Sequence, residues 1–182
     1  MDHTDHVTLL RGGVSAPGGV WADLGSGTGA FTLALSDLLG LSGTIYSVDK
    51  DPGALAAQKQ AMRRSFPSTA IHYLAADFTK PLSLPPLDGV VMANSLHFHR
   101  AKEPIVQLVA SYLKPGGRLI LVEYDTDHGN NWVPYPLSFE TWRLLARSCS
   151  LADARLLATV PSRFLGRIYS ALCLNQEERS HD

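Results

Sequence analysis

Three glycines at alternate positions, Gly25, Gly27 and Gly29, constrain this chain more than any other feature. They lie in the stretch GVWADLGSGTGAFTLAL, between an apolar run at 20–24 and a segment at 30–39 with helical apolar spacing. A strand that turns tightly into a helix exposes backbone N–H groups and the positive helix end, and glycines let a ligand approach them closely. The loop therefore predicts a binding site for a nucleotide-like ligand.

Strand and helix patterns alternate along the rest of the chain. The predicted strands are 20–24, 44–49, 71–75, 89–93 and 118–123. The predicted helices are 30–39, a helix capped by Asp51 that ends near 64, 102–113 and 140–150. Two last strands, 154–160 and 167–174, are joined by a turn too short for a parallel crossover. We expect an α/β fold, a three-layer doubly wound and mostly parallel seven-stranded sheet with an antiparallel C-terminal hairpin.

Size and composition favour one domain, 1–182, in which residues 1–18 form a short N-terminal cap segment. A net charge of −1 makes nucleic acid a weak candidate partner. No apolar stretch is long enough to span a membrane and the first residues do not resemble a signal peptide, so we expect a cytoplasmic protein without a membrane partner. Cys149 and Cys173 match no metal-binding spacing, so we expect no metal site.

Three aspartates follow or end predicted strands and narrow the choice of ligand. Asp23 places a carboxylate beside the glycine loop, where it would hold an ammonium group and repel a pyrophosphate. Asp49 can accept hydrogen bonds from both hydroxyls of a ribose. Asp77 lies at the same edge of the sheet and can accept from an adenine amino group. Together these groups indicate S-adenosylmethionine, although the glycine loop alone also fits a nicotinamide or flavin cofactor.

Five blocks in order resemble the class I S-adenosylmethionine-dependent methyltransferases, from about residue 19 onward. The blocks are ADLGSGTG, YSVDKD, AADF, DGVVMANSLHF and LKPGGRLILVEYD. The resemblance implies the following cofactor contacts: Asp23 with Gly25, Ser26, Gly27, Thr28 and Gly29 around the methionine part, Asp49 on the ribose, Asp77 and Phe78 at the adenine, and Asn94 beside the methionine tail. Lys50 departs from the apolar residue common at its position, and its methylene stem would cover the adenine instead.

The acceptor side is less well defined by the sequence. Methyl transfer from a sulfonium is an in-line displacement that chiefly needs alignment and exclusion of water. His97 is the best candidate for a general base and His99 the second, while a histidine that only orients its loop is the alternative. Tyr124 is a further candidate catalytic residue, in the aromatic-rich segment 123–142 that can wall a small apolar pocket.

The sequence therefore predicts a methyltransferase acting on a small, partly apolar acceptor. Two alternatives stay open: an NAD(P)-dependent oxidoreductase and a non-catalytic S-adenosylmethionine-binding partner protein. The acceptor pocket would be open, closed by a short helix near 4–11, or completed by a second subunit of a homodimer.

Overall fold

One seven-stranded sheet runs through the described part of the protein, which in this computed structural model comprises residues 1–152 and 154–176. The strands are β1 (Gly19–Leu24), β2 (Gly43–Asp49), β3 (Ala70–Ala75), β4 (Leu87–Ala93), β5 (Leu113–Tyr124), β6 (Arg155–Ser162) and β7 (Gly166–Leu174). The helices are α1 (His3–Arg11), α2 (Ala30–Leu39), α3 (Pro52–Ser65), α4 (Glu103–Ala110) and α5 (Phe139–Ser148). Residue 153 and residues 177–182 lie outside the described residues, so a single domain over 1–182 stays a prediction.

The strand order, β3-β2-β1-β4-β5-β7-β6, confirms the predicted fold class. The first five strands in sequence are mutually parallel, and β7 pairs antiparallel with both β5 and β6. The order reverses at β1, which has β2 on one side and β4 on the other. A crevice opens at such a reversal, outside the carboxyl ends of the parallel strands, and ligands bind there in open α/β sheets.

Both faces of the sheet are covered by apolar side chains. Alternate residues of β1 point to opposite faces, so Leu24 packs with Val90 and Trp142 on one side, while Trp21 packs with Leu35 on the other. The helix α1 belongs to the second layer, where it packs against α2 and against β6. Its buried face therefore helps to cover the sheet.

One predicted element ends at the wrong place. The helix expected over 102–113 stops at Ala110, and β5 begins at Leu113 instead of 118. The physical reason is that Leu113 pairs with Leu87 in parallel register, and the carbonyl of Tyr112 accepts from the Leu87 N–H at 2.9 Å. Sheet hydrogen bonds thus replace the last helical turn expected from the apolar spacing.

Candidate functional site

A cavity of about 320 Å³ opens at the carboxyl ends of β1 to β4. It is lined by seven of the residues predicted to bind the cofactor: Gly25, Gly27, Asp49, Lys50, Asp77, Phe78 and Asn94. Four further residues complete the wall: Ala76, Ser95, Phe98 and His99. The parallel strands thus bring together residues that are up to 74 positions apart in the sequence, which is what the crossover topology predicts.

The three glycines of the loop are required for different reasons. Gly27 has a φ of 53° and nothing within 4 Å of the position that a Cβ would occupy, so open space beside the cavity meets its backbone. Gly29 is the N-cap of α2 with a φ of 93°, and a Cβ there would lie 2.3 Å from Cγ of Gln58. A Cβ at Gly25 would lie 2.5 Å from that of Ser95. Gly27 and Gly25 thus both face the cavity, but only at Gly27 is there room for a Cβ, whereas Gly25 and Gly29 also allow close packing.

Asp49 is held against the glycine loop before any ligand binds. Its Oδ2 accepts from the Gly27 N–H at 2.7 Å, and its Oδ1 accepts from the Asp51 N–H at 2.8 Å. Each carboxylate oxygen can accept a second hydrogen bond. The carboxylate therefore keeps acceptor capacity on the side of the cavity that it lines.

The residues after β3 form the opposite part of the wall. Asp77 Oδ1 accepts from the hydroxyl of Thr79 at 2.7 Å and from its N–H at 2.9 Å. These hydrogen bonds lower the pKa of Asp77, so its carboxylate is ionised near neutral pH. Phe78 is buried and meets the ring of His99 edge-on, with 5.4 Å between centroids. A flat group in the cavity thus has an apolar surface and a charged acceptor beside it.

Asn94 contributes an unsatisfied polar atom to the wall. It follows β4 with a φ of 52°, a left-handed conformation that asparagine tolerates better than most residues. Its side-chain oxygen is buried, and among residues 1–152 and 154–176 it has no hydrogen-bond partner. An unpaired buried acceptor costs roughly 1–3 kcal/mol. A ligand that donates a hydrogen bond there would recover that cost.

Asp23 lies behind the glycine loop, away from the cavity wall. It is only 1% exposed, and its Oδ2 accepts from the hydroxyl of Thr32 at 2.6 Å. Thr32 accepts in turn from the side-chain N–H of Gln58, whose carbonyl accepts from Ser47 at 2.9 Å. Alternation along β1 turns this carboxylate toward α2, so its predicted direct contact with a ligand's ammonium group has no counterpart in the wall.

Three other predicted cofactor residues also lie outside the cavity wall: Ser26, Thr28 and Gly29. The hydroxyl of Ser26 lies 2.8 Å from that of Ser47 and so joins the polar network below the loop. Sequence reasoning missed three residues of this network: Thr32, Ser47 and, at its centre, Gln58. The position of Gln58 on the buried face of α3, three residues after Leu55 and four before Met62, was the available signal.

Replacing Asp23 by asparagine should stabilise the protein near pH 8 by about 2 kcal/mol, because a buried carboxylate no longer has to ionise. Burial raises the pKa of Asp23 from 3.8 to about 7. Between about pH 4 and pH 7 the folded state keeps a proton that the unfolded state has lost, so stability falls as the pH rises through that window. Melting temperatures measured at both ends of the window should show a smaller fall for Asp23→Asn than for wild type. An identical pH dependence of the melting temperature in the two proteins would contradict the raised pKa of Asp23.

His97 and Tyr124, the two predicted catalytic residues, lie next to the cavity but do not line it. His97 is 3% exposed, and its Nδ1 lies 2.8 Å from Oε1 of Glu123. Glu123 is fully buried and also accepts from the N–H of Tyr124 at 2.8 Å. The Tyr124 ring centroid is 6.0 Å from that of His97, and burial, aided by the Glu123 carboxylate, raises the pKa of Tyr124. The Tyr124 hydroxyl therefore keeps its proton near neutral pH.

Sequence reasoning missed Glu123 as part of the site. A carboxylate at the end of the apolar run RLILVE was the available signal, because an ionisable side chain rarely ends a buried strand without a partner. His99, the second candidate for a base, does line the cavity, and burial lowers its pKa.

Residues 22–121, more than half of the chain, match the protein-family model described as a methyltransferase domain. The chain belongs to the methyltransferase-domain family. This membership confirms the resemblance to class I S-adenosylmethionine-dependent methyltransferases. It also confirms the enzyme class and S-adenosylmethionine as the cofactor of that class.

The methyltransferase is similar in sequence to a curated enzyme of quinone biosynthesis. It is 30% identical over 103 residues to the ubiquinone/menaquinone biosynthesis C-methyltransferase UbiE of Wigglesworthia glossinidia brevipalpis. The match covers 56% of this methyltransferase and 41% of the relative. The chain therefore matches about two fifths of the length of that relative.

Solved structures share the fold of the methyltransferase over nearly its whole length. The YcgJ protein of Bacillus subtilis has a TM-score of 0.79 at 12% identity, with 96% of this chain and 100% of that chain covered. The N-methyltransferase NodS of Bradyrhizobium japonicum, in complex with S-adenosyl-L-homocysteine, has a TM-score of 0.75 at 20% identity, with 96% and 87% covered. At these identities the likeness shows the common fold.

No helix among residues 1–152 and 154–176 combines the length and the apolar character needed to cross a bilayer.

Proposed function

We propose that the protein transfers the methyl group of S-adenosylmethionine to a small, partly apolar acceptor. The observation that carries this proposal is the cavity at the ends of β1 to β4, where the open backbone of Gly27 lies beside Asp49 and the unpaired side-chain oxygen of Asn94. An amino acid's ammonium group and a ribose are the donors that this set of acceptors fits. The proposal for an oxidoreductase is weaker, since a pyrophosphate on the glycine loop would face the carboxylate of Asp49.

Each part of the cofactor has a candidate partner in the wall. Gly25, Gly27 and Asn94 would hold the methionine part, and Asp49 would accept from the ribose hydroxyls. Asp77 and Phe78 would hold the adenine, with the stem of Lys50 over its other face. Asp23 and Ser26 would act on the cofactor indirectly, by fixing the shape of the loop through the network around Gln58, against which Gly29 packs. A cofactor contact of Thr28 stays a prediction.

The acceptor would lie beyond Phe98, on the side of His97 and Tyr124. S-adenosylmethionine supplies a methyl group on a positively charged sulfur, which an acceptor atom can attack in line. The protein has to align the acceptor and exclude water. The quinone-biosynthesis relative supports an acceptor that is partly apolar. A cytoplasmic location, the absence of nucleic-acid and membrane partners, and a homodimer stay predictions.

A calorimetric titration with S-adenosylhomocysteine, with NADH titrated in parallel, tests the cofactor. We expect micromolar binding of S-adenosylhomocysteine and none of NADH. Binding of NADH alone would overturn the proposal in favour of an oxidoreductase. Binding of S-adenosylhomocysteine without turnover across a broad acceptor panel would favour the non-catalytic partner protein.

Replacing His97 by glutamine should lower turnover about 100-fold and change the affinity for S-adenosylhomocysteine by less than about threefold, if His97 removes a proton from the acceptor. Glutamine keeps an N–H donor for the buried Glu123, which alanine would leave without its ring partner. The matched control is His99→Gln, because His99 lines the cavity. That variant should weaken cofactor binding. Equal losses of turnover and affinity in His97→Gln would instead mark His97 as a cofactor contact.

A further inference from the structure

Four aromatic residues form a connected group beside His97 at the edge of the sheet, and we call them the aromatic rim: Phe98, Tyr124, Tyr135 and Phe164. The ring of Phe98 lies 4.3 Å from that of His97, and the ring of Tyr124 lies 6.0 Å from it. Phe164 contacts Tyr124, with 6.0 Å between centroids. The N–H of Tyr135 donates to the carbonyl of His97 at 2.9 Å. The rim therefore connects residues from four separate parts of the chain, and the rings of two of them, Phe98 and Tyr124, contact the imidazole.

Three of the four side chains of the aromatic rim are exposed, although aromatic side chains are usually buried. Phe98 is 57% exposed, Phe164 49% and Tyr135 42%. Scattered exposed aromatics are ordinary, but these are all linked to His97: Phe98 by ring contact, Phe164 through Tyr124, and Tyr135 through its backbone. Phe98 also lines the cofactor cavity, so the rim continues that wall. A molecule lying on the rim would thus be next to whatever fills the cavity.

A buried pair of ionisable groups lies directly beneath this surface. His97 and Glu123 are 4% and 0% exposed in their side chains and 2.8 Å apart. A carboxylate accepts hydrogen bonds and does not donate them, so Nδ1 of His97 carries the proton that points to Glu123. The other ring nitrogen, Nε2, has no hydrogen-bond partner among the described residues 1–152 and 154–176. It is the nitrogen that can receive a proton.

We propose that the aromatic rim binds a planar aromatic acceptor bearing a hydroxyl group, and that Glu123 positions His97 to take the proton of that hydroxyl. This inference rests on the methyltransferase function proposed above. Glu123 is a positioning residue, since it acts through His97. It fixes the tautomer of the imidazole and balances the positive charge that the ring gains, as a carboxylate does behind a catalytic histidine in general.

The transfer step balances in atoms and electrons. The hydroxyl proton moves to Nε2 of His97, and the oxygen left behind attacks the methyl carbon. An oxygen–carbon bond forms while the carbon–sulfur bond breaks, and sulfur keeps that electron pair and becomes a neutral thioether. The proton leaves His97 for solvent after the methylated product departs. No oxidant or further reactant is needed.

Other titratable groups face the pair. Glu123 lies within electrostatic reach of Lys102, Tyr124 and Tyr169, and His97 within reach of His99.

The simpler interpretation is that the His97–Glu123 pair is purely structural and holds the short 3₁₀ helix Leu96–Phe98 against the end of β5. Loss of a structural pair would lower stability and all activities together. Loss of a proton-accepting pair would lower only the methylation of acceptors that need deprotonation.

Two probe acceptors of nearly the same shape distinguish a proton-accepting pair from a purely structural one. 2-Naphthol keeps its proton near neutral pH and needs a base, whereas 2-naphthalenethiol ionises readily by itself. We expect the wild-type chain with saturating S-adenosylmethionine to methylate both, measured by mass spectrometry of the products. In Glu123→Gln we expect turnover of 2-naphthol to fall about 10-fold to 100-fold, with the thiol changed by less than about threefold. The KM for S-adenosylmethionine should stay within about twofold of wild type.

Equal losses of turnover on both probes in Glu123→Gln would show that the His97–Glu123 pair is purely structural and would overturn the inference. Binding of S-adenosylhomocysteine without methylation of either probe would overturn the aromatic acceptor while leaving the cofactor assignment intact. No binding of S-adenosylhomocysteine at all would instead count against the proposed function.

A spectroscopic measurement does not depend on finding an acceptor. In ¹⁵N spectra of the protein with S-adenosylhomocysteine, we expect His97 to be neutral with its proton on Nδ1. Glu123→Gln still offers an oxygen to Nδ1 and should keep this tautomer, whereas Glu123→Leu should lose it. A doubly protonated His97 near neutral pH would overturn the proposal, because such a ring cannot take a proton.

Discussion

Replacing Asp49 by alanine should weaken the binding of S-adenosylhomocysteine by about 100-fold or more, because two charge-assisted hydrogen bonds to the ribose are lost. The structure adds a second reason for a large effect. The same carboxylate accepts from the N–H of Gly27 and the N–H of Asp51, so its removal also frees the centre of the glycine loop. Isothermal calorimetry of wild type and variant measures the loss directly.

A neighbouring carboxylate offers the matched control for this experiment. Asp51 is exposed, caps α3 by accepting from the N–H of Gly53 at 2.8 Å, and does not line the cavity. Asp51→Asn keeps a good capping residue and should leave the affinity within about twofold of wild type. An Asp49→Ala variant that binds as tightly as wild type would remove Asp49 from the site.

Replacing Gly29 by alanine should lower the free energy of unfolding by about 3–5 kcal/mol, and so the melting temperature by roughly 6–20 °C. The φ of 93° is unfavourable for any residue with a Cβ, and that Cβ would lie 2.3 Å from Cγ of Gln58. Gln58 cannot move aside cheaply, because it is fully buried and bonded to Thr32 and Ser47. Thermal and urea unfolding give the two quantities.

Gly27→Ala is the matched comparison for Gly29→Ala. Gly27 also has a positive φ, but nothing lies within 4 Å of the added Cβ. Stability should therefore fall by only about 1 kcal/mol, while the affinity for S-adenosylhomocysteine should fall by roughly 10-fold or more, since the methyl group projects beside the cavity. If Gly27→Ala binds normally, or Gly29→Ala folds as stably as wild type, the separate roles assigned to the two glycines are wrong.

The sequence predicted the elements wherever local signals and the fold agree. Asp51 and Pro52 mark the start of α3, and the short apolar runs mark the parallel strands within one or two residues, except for β5. The end of α4 could not be read in the same way. Its apolar spacing continues to Leu113, and only the pairing of that residue with Leu87, a long-range contact, decides that the chain is already in the sheet.

The residues that line the cavity could be predicted from the sequence, whereas the contacts that hold them in place could not. The residues that line the cavity follow strand ends, and a strand end can be recognised locally. The direction of the Asp23 side chain, by contrast, depends on which face of the sheet receives α2, and the network through Gln58 depends on how α3 packs there. The pairing of His97 with Glu123 joins a short 3₁₀ helix to the end of β5 across 26 residues of sequence, which periodicity cannot show.

The division of the site along the chain has a consequence for how such an enzyme changes its acceptor. Every residue of the cavity wall lies between 25 and 99, whereas three of the four side chains of the aromatic rim come from 124 onward. Phe98 is the one residue that belongs to both. Exchange of the part that follows β4 between relatives would therefore alter what is methylated while the methyl source stays the same, with Phe98 as the natural crossing point for a chimera.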